Sequence, residues 1–228
     1  LRYLGTSKAS ELWTELANQH YDTNRWYLEA FGNGADKLPN MYFNAWKTSA
    51  GDDWMNPAGK EIVWRSTANA SVPMLLTMIK DENVEPSTLA SYFRALSFKE
   101  HPKKNELVAN LLSLKHPREK EIRALAIGQL DANFVNNSAK NIQAVKNILP
   151  TIEGTPEWIL ALKNLKLTDQ KQALFRVVSN GSVDEDLKKE AADLLFKSNG
   201  SDLVTSELES DGPESEKMEL LGLLGNIN

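Results

Sequence analysis

Histidine is scarce and scattered in this sequence. The three are His20, His101 and His116, with no His-Glu-x-x-His pair and no second histidine one helical turn away. A helix-borne zinc site therefore has no ligands here. His101-Pro102-Lys103 and His116-Pro117-Arg118 repeat one pattern, which reads as the turn entering a helix with proline at its first position. No Gly-x-Ser-x-Gly elbow is present for a serine hydrolase. Gly32-Asn33-Gly34 has no third glycine and follows a helical pattern, so it reads as a helix C-cap and not as a phosphate cradle. The loop Ser49 to Pro57 gathers Asp52, Asp53, Trp54 and Asn56, but without the alternating oxygen ligands and terminal Glu of a calcium loop. There an aspartate shapes the turn and Asn56 caps a helix beginning near Pro57.

Binding residues are easier to find than catalytic ones. Trp13, Trp26 and Trp46 stand at helical spacing from Leu12 and Leu16, Phe31, Met41 and Phe43, which places them in the core. Trp54, in a polar loop, is the tryptophan expected at the surface, where an indole marks an interaction site. Arg65, Arg94 and Arg123 recur at 29-residue intervals. In stacked repeats such a column bridges to acidic residues of neighbouring repeats or lines the concave face. Trp54, Arg65, Arg94 and Arg123 are the candidate interaction surface; no catalytic, cofactor-binding or metal-ligating residue is assigned.

The elements that must carry these residues are helices. The 228 residues include 12 glycines and 9 prolines. Pro73, Pro86, Pro102, Pro117, Pro156 and Pro213 each stand at the start of an apolar-periodic segment, and Gly128, Gly181, Gly200 and Gly225 at segment ends. That asymmetry belongs to helix punctuation. No stretch sustains the alternation of a strand. The sequence predicts an all-α fold of about fourteen short helices.

The helices repeat. Glu29, Arg65, Arg94, Arg123, Leu160, Glu190 and Glu219 form a column spaced by 29 to 37 residues. The preceding column is Leu28, Trp64, Phe93, Ile122, Ile159, Lys189 and Met218; the following one is Ala30, Ser66, Ala95, Ala124, Ala161, Ala191 and Leu220. A large apolar residue followed two positions on by a small one fills a layer and lets the next helix approach closely. Helix pairs at this period predict a single α-α superhelix over 1–228, a HEAT-like solenoid of about seven pairs.

Composition narrows the function. The chain lacks cysteine, which excludes disulfides, Cys-ligated zinc, iron–sulfur clusters and thiol catalysis. With 26 Lys+Arg against 31 Asp+Glu the net charge is −5, contrary to a nucleic-acid binder. Charge is uneven: residues 182–228 hold four bases against twelve acids, while residues 1–64 hold five of the six tryptophans. An acidic C-terminal cap that keeps the last repeat soluble fits this pattern. No apolar run approaches the ~18 residues of a membrane span.

One resemblance can be drawn. Tyr21-Asp22-Thr23-Asn24-Arg25-Trp26-Tyr27-Leu28-Glu29-Ala30-Phe31-Gly32, Pro57-Ala58-Gly59-Lys60-Glu61-Ile62-Val63-Trp64-Arg65-Ser66 and Tyr92-Phe93-Arg94-Ala95-Leu96 resemble the helical-repeat region of bacterial membrane-bound or sorbosone-type dehydrogenase-like proteins. In that family a β-propeller precedes the repeats and a c-type haem domain often follows. The resemblance spans residues 20–115 and implies an exported or periplasmic location and a place between other domains. It transfers no redox residue, since no Cys-x-x-Cys-His occurs here.

The expectation is therefore a non-enzymatic scaffold that binds protein, either neighbouring domains or another chain, without cofactor, nucleic acid or membrane span. The alternative is a HEAT-like DNA glycosylase acting on alkylated bases, which needs a basic groove and an acid beside exposed aromatics. A bilin-lyase-like solenoid with an aromatic N-terminal pocket is a third reading.

Overall fold

The computed structural model describes residues 2–20 and 25–225, with the side chains of Glu216, Glu219, Leu223 and Leu224 left aside. Tyr21, Asp22, Thr23 and Asn24, which open the dehydrogenase-like stretch, lie outside the described residues, as does the Glu219 side chain of the repeat column. The described residues form fifteen α-helices and three 3-10 segments, with no strand. The protein is all-α, as its punctuation predicts. No helix among the described residues is long and apolar enough to cross a membrane. The chain divides into two compact units, Leu1–Ile122 and Arg123–Asn228.

The first unit holds α1 (Ser7–Asn18), α2 (Arg25–Ala35), α3 (Pro39–Ala50), α4 (Pro57–Arg65), α5 (Ser71–Ile79), α6 (Pro86–Ser97) and α7 (Lys104–Ala109). Its helix starts are set by local chemistry. Thr6 Oγ1 accepts the Ala9 N–H, and Pro39, Pro57 and Pro86 stand in the first turn. Asn56 caps α4 as its position predicts, its Oδ1 accepting the Gly59 N–H at 2.9 Å. Proline helps at these points because the first-turn N–H has no intrahelical acceptor. Pro102 and Pro117 differ: α7 begins at Lys104 and α8 (Glu119–Ile127) at Glu119. The prolines occupy the preceding turns, where His101 and His116 Nδ1 accept the N–H of Lys103 and Arg118, each at 3.0 Å.

Aromatic residues build this core. α1 packs on α3, and Trp13 stacks on Phe31 with ring centroids 3.9 Å apart. The Trp13 indole N–H donates to the Phe31 carbonyl at 3.2 Å, so its polar handle is satisfied inside the core. Tyr42, Phe43, Phe93, Leu75, Leu89 and Leu96 are fully enclosed. Trp13 and Trp46 are buried as expected, but Trp26 is 85% exposed. The reason is helical geometry. The buried stripe of α2 is Leu28, Phe31, Gly32 and Ala35, and a residue two positions before Leu28 points to the opposite side. Gly32 and Gly34 also lie inside α2, not beyond its end.

The second unit follows with α9 (Ala132–Asn136), α10 (Ala139–Ile148), α11 (Pro156–Leu165), α12 (Lys171–Val178), α13 (Glu185–Lys197), α14 (Ser201–Leu208) and α15 (Glu214–Leu224). Trp158, Ile159, Leu162, Leu165, Leu174, Ala191, Ala192 and Leu195 form its core. Ser138, Thr155 and Asp184 cap α10, α11 and α13 with their side chains. α13 ends on a left-handed residue, Asn199 at φ 56°, one position before the expected Gly200. Asparagine tolerates that conformation better than other residues that carry a Cβ.

The repeat columns hold unevenly. Leu28, Phe93, Ile122 and Ile159 are buried and Trp64 is half-buried, but Met218 is 63% exposed. Among the small residues, Ala124, Ala161 and Ala191 are buried, whereas Ala30 is exposed. Ala30 lies off the inward stripe of α2, so its small size serves no close helix approach there.

Candidate functional site

Two members of the arginine column meet in the first unit, in an open groove of about 450 Å³. The C-terminal end of α4 supplies Trp64 and Arg65, and α6 supplies Ser91 and Arg94. Arg25, the first residue of α2, and Lys99, just after α6, bring two more cations; among the described residues, no carboxylate lines the groove. The sequence puts these residues within reach because α4 packs against both α2 and α6. The Trp64 indole N–H donates to the Ser91 carbonyl at 3.3 Å and ties α4 to α6.

The four cations are held differently. Arg65 is committed: its Nε donates to Glu29 Oε2 at 2.9 Å and its Nη2 to Asn33 Oδ1 at 3.2 Å. Glu29 stands 36 residues before Arg65 in the same sequence column. Arg25 stands 3.9 Å from Glu29, at the limit of an ion pair. Arg94 is exposed and engages no hydrogen bond or ion pair among the described residues. Its guanidinium therefore keeps all its donors for something else.

Lys99 is the opposite case. It is 3% exposed, and its Nζ donates to the Val63 carbonyl at 3.0 Å, to Ser71 Oγ at 3.2 Å and to the Ser66 carbonyl. Val63 and Ser66 stand at the C-terminal end of α4, where orphan carbonyls and the helix dipole favour a cation. Burial, with Arg65 adding repulsion, pushes the Lys99 ammonium down to about 7. Loss of hydration disfavours the charged amine. Lys99 is thus a staple between α4 and the start of α5.

Trp64 and the 73%-exposed Phe98 give the groove aromatic surface, and Thr67 and Ser91 bring hydroxyl side chains. Cations that outnumber the one described carboxylate paired with them attract oxyanions, and an arginine fork matches phosphate or carboxylate geometry. A neighbouring hollow of about 460 Å³ shares Arg25, Trp64 and Ser91 but includes Lys60 and Glu61. Glu61 Oε2 lies 2.6 Å from Nε2 of the buried His20, whose ring stacks on Tyr27.

The other sequence candidates fall elsewhere. Trp54 is half-buried in the 3-10 segment Gly51–Met55 and does not line the groove. Arg123 is half-buried and belongs to the second unit. Sequence reading missed Arg25, Trp64 and Lys99. Lys99 sits in the run Phe98-Lys99-Glu100-His101, which reads as solvated, and nothing local announces its burial. Trp64 was visible in the apolar column, but only as filling between helices. Among the described residues, no three His, Cys, Asp or Glu side chains cluster as a metal site requires. No family model matches the chain, and neither a curated protein nor a solved structure is found to match it.

Proposed function

We propose that the chain is a non-enzymatic interaction module, its helix pairs stacked as a HEAT-like solenoid, that holds a protein partner. The observation that carries this reading is Trp26, 85% exposed on α2. Tryptophan is the residue most enriched among interface anchors, and an indole left in water gains its energy only when a partner covers it. Leu12 and Leu16 are exposed one turn apart on α1, and Tyr27 donates its hydroxyl to the Leu16 carbonyl at 2.9 Å. These residues add apolar surface to the same unit, beyond what an isolated exposed residue would give. The resemblance to dehydrogenase-like proteins supports a partner that is a neighbouring domain of a larger exported polypeptide.

The test is site-specific photo-crosslinking in the parent organism, with a benzophenone amino acid replacing Trp26 and, separately, exposed Ser182. A discrete protein adduct, or a defined intramolecular link, at position 26 alone is expected. Equal labelling at both positions would remove the support for a dedicated surface. The DNA glycosylase alternative draws on the cationic groove. It needs a carboxylate beside the aromatics, and the described residues of the groove lining include none.

A further inference from the structure

The groove beside Trp64 has a chemistry that protein docking on Trp26 does not use. We infer that it binds a small ligand joining a phosphate group to a flat ring. Three observations carry this. Arg94 presents an uncommitted guanidinium into a hollow that also receives Arg25, Arg65 and Lys99. Among the described residues, the one carboxylate paired to any of them, Glu29, bonds Arg65 at 2.9 Å and stands 3.9 Å from Arg25. That leaves a local excess of positive charge suited to a group carrying more than one negative charge, as phosphate does.

The walls supply the second half of the ligand. Trp64 and Phe98 line it with aromatic side chains, and Ser91 and Thr67 are hydroxyl-bearing neighbours. A volume of about 450 Å³ falls within the range of small-molecule sites. Trp64 is positioned before any ligand arrives, since its indole N–H is anchored on the Ser91 carbonyl. Arg65 is likewise fixed, by Glu29 and Asn33. Arg94, Arg25 and the 73%-exposed Phe98 have to settle on binding, while Trp64 and Arg65 are already held, which limits the side-chain entropy lost.

The inference is tested by titration calorimetry of the whole chain with phenyl phosphate, inorganic phosphate and phenol. Phenyl phosphate should bind at least roughly tenfold more tightly than either fragment. Arg94→Ala should weaken phenyl phosphate roughly tenfold or more while leaving the melting temperature nearly unchanged, because Arg94 is exposed and makes no hydrogen bond or ion pair among the described residues. The Trp64 indole proton resonance should shift on binding in the parent and in Phe98→Leu. Affinity equal to that of inorganic phosphate would overturn the ring half of the inference, and an unchanged Arg94→Ala isotherm the phosphate half. A short DNA duplex that binds more tightly than phenyl phosphate, with steep salt dependence, would replace the small ligand by nucleic acid. None of these outcomes depends on the Trp26 surface.

Discussion

The Arg65 guanidinium lies against Gly32. A Cβ on Gly32 would stand 2.5 Å from Arg65 Cζ and 2.7 Å from its Nε. The missing side chain on α2 is what lets Arg65 reach Glu29 and Asn33 from the end of α4. Gly32→Ala gains helix propensity, up to about 1 kcal/mol, but pushes Arg65 out of its seat. The expected result is a near-neutral change in stability with loss of the Arg65–Glu29 coupling. In a double-mutant cycle by urea denaturation, Glu29→Gln should cost about 1 kcal/mol in the parent and close to nothing beside Gly32→Ala. An undiminished cost would show that Arg65 keeps its place.

Gly59 is a harder case. A Cβ there would fall far inside the contact distance to the Trp54 carbonyl oxygen, which is backbone and cannot swing away. Gly59→Ala must displace the 3-10 segment Gly51–Met55 from α4 and should cost about 2–3 kcal/mol. Gly181, with nothing within 4 Å of its Cβ position, is the control, and Gly181→Ala should stay within about 0.5 kcal/mol. Equal denaturation midpoints for the two variants would contradict the close approach.

Lys99 makes stability depend on pH. Its folded value is about 7 against an ordinary 10.5. Below pH 7 both folded and unfolded chains carry the proton, and the full cost of the buried charge is present. Between about 7 and 10.5 the unfolded chain binds more protons, so stability rises with pH, by at most about 1.4 kcal/mol per unit. The difference in unfolding free energy between the parent and Lys99→Met should therefore move in favour of the parent from pH 7 to pH 9. A flat difference across that range would mean that the amine stays charged on its three acceptors.

The tryptophans should separate cleanly. Trp13→Ala removes a ring that is 3% exposed and stacked on Phe31, at a cost of about 3–5 kcal/mol. Trp26→Ala removes one that is 85% exposed and should change stability by less than about 0.5 kcal/mol. Acrylamide quenching of fluorescence should fall markedly in Trp26→Phe, since the most accessible emitter is gone. Loss of stability in Trp26→Ala would show that the indole is covered within the chain itself.

Much of the local structure was legible in the sequence because it is decided by local chemistry. Asn56 before Pro57 marks a helix start through a bond that spans only three residues, and Pro86 and Pro156 stand in the first turns of their helices. The apolar column from Leu28 to Ile159 pointed inward for the same reason, since helical period fixes which residues share a face. The arginine column also told part of the story, because Arg65 and Arg94 do line one groove.

What the sequence determined by itself, then, is an all-helical chain, its punctuation and the residues that recur at the repeat period. The tertiary structure decided which of those residues face water and which meet. Trp26 faces water and Trp54 is half-buried, because exposure depends on the neighbouring helices, not on the polarity of the flanking residues. Lys99 became a buried staple because Val63, Ser66 and Ser71, some 30 residues away, converge on it only once α4 and α5 pack. The groove itself is the same kind of object. Its charge excess comes mainly from Arg25, Arg65 and Arg94, far apart in the sequence, and no short window along the chain contains it.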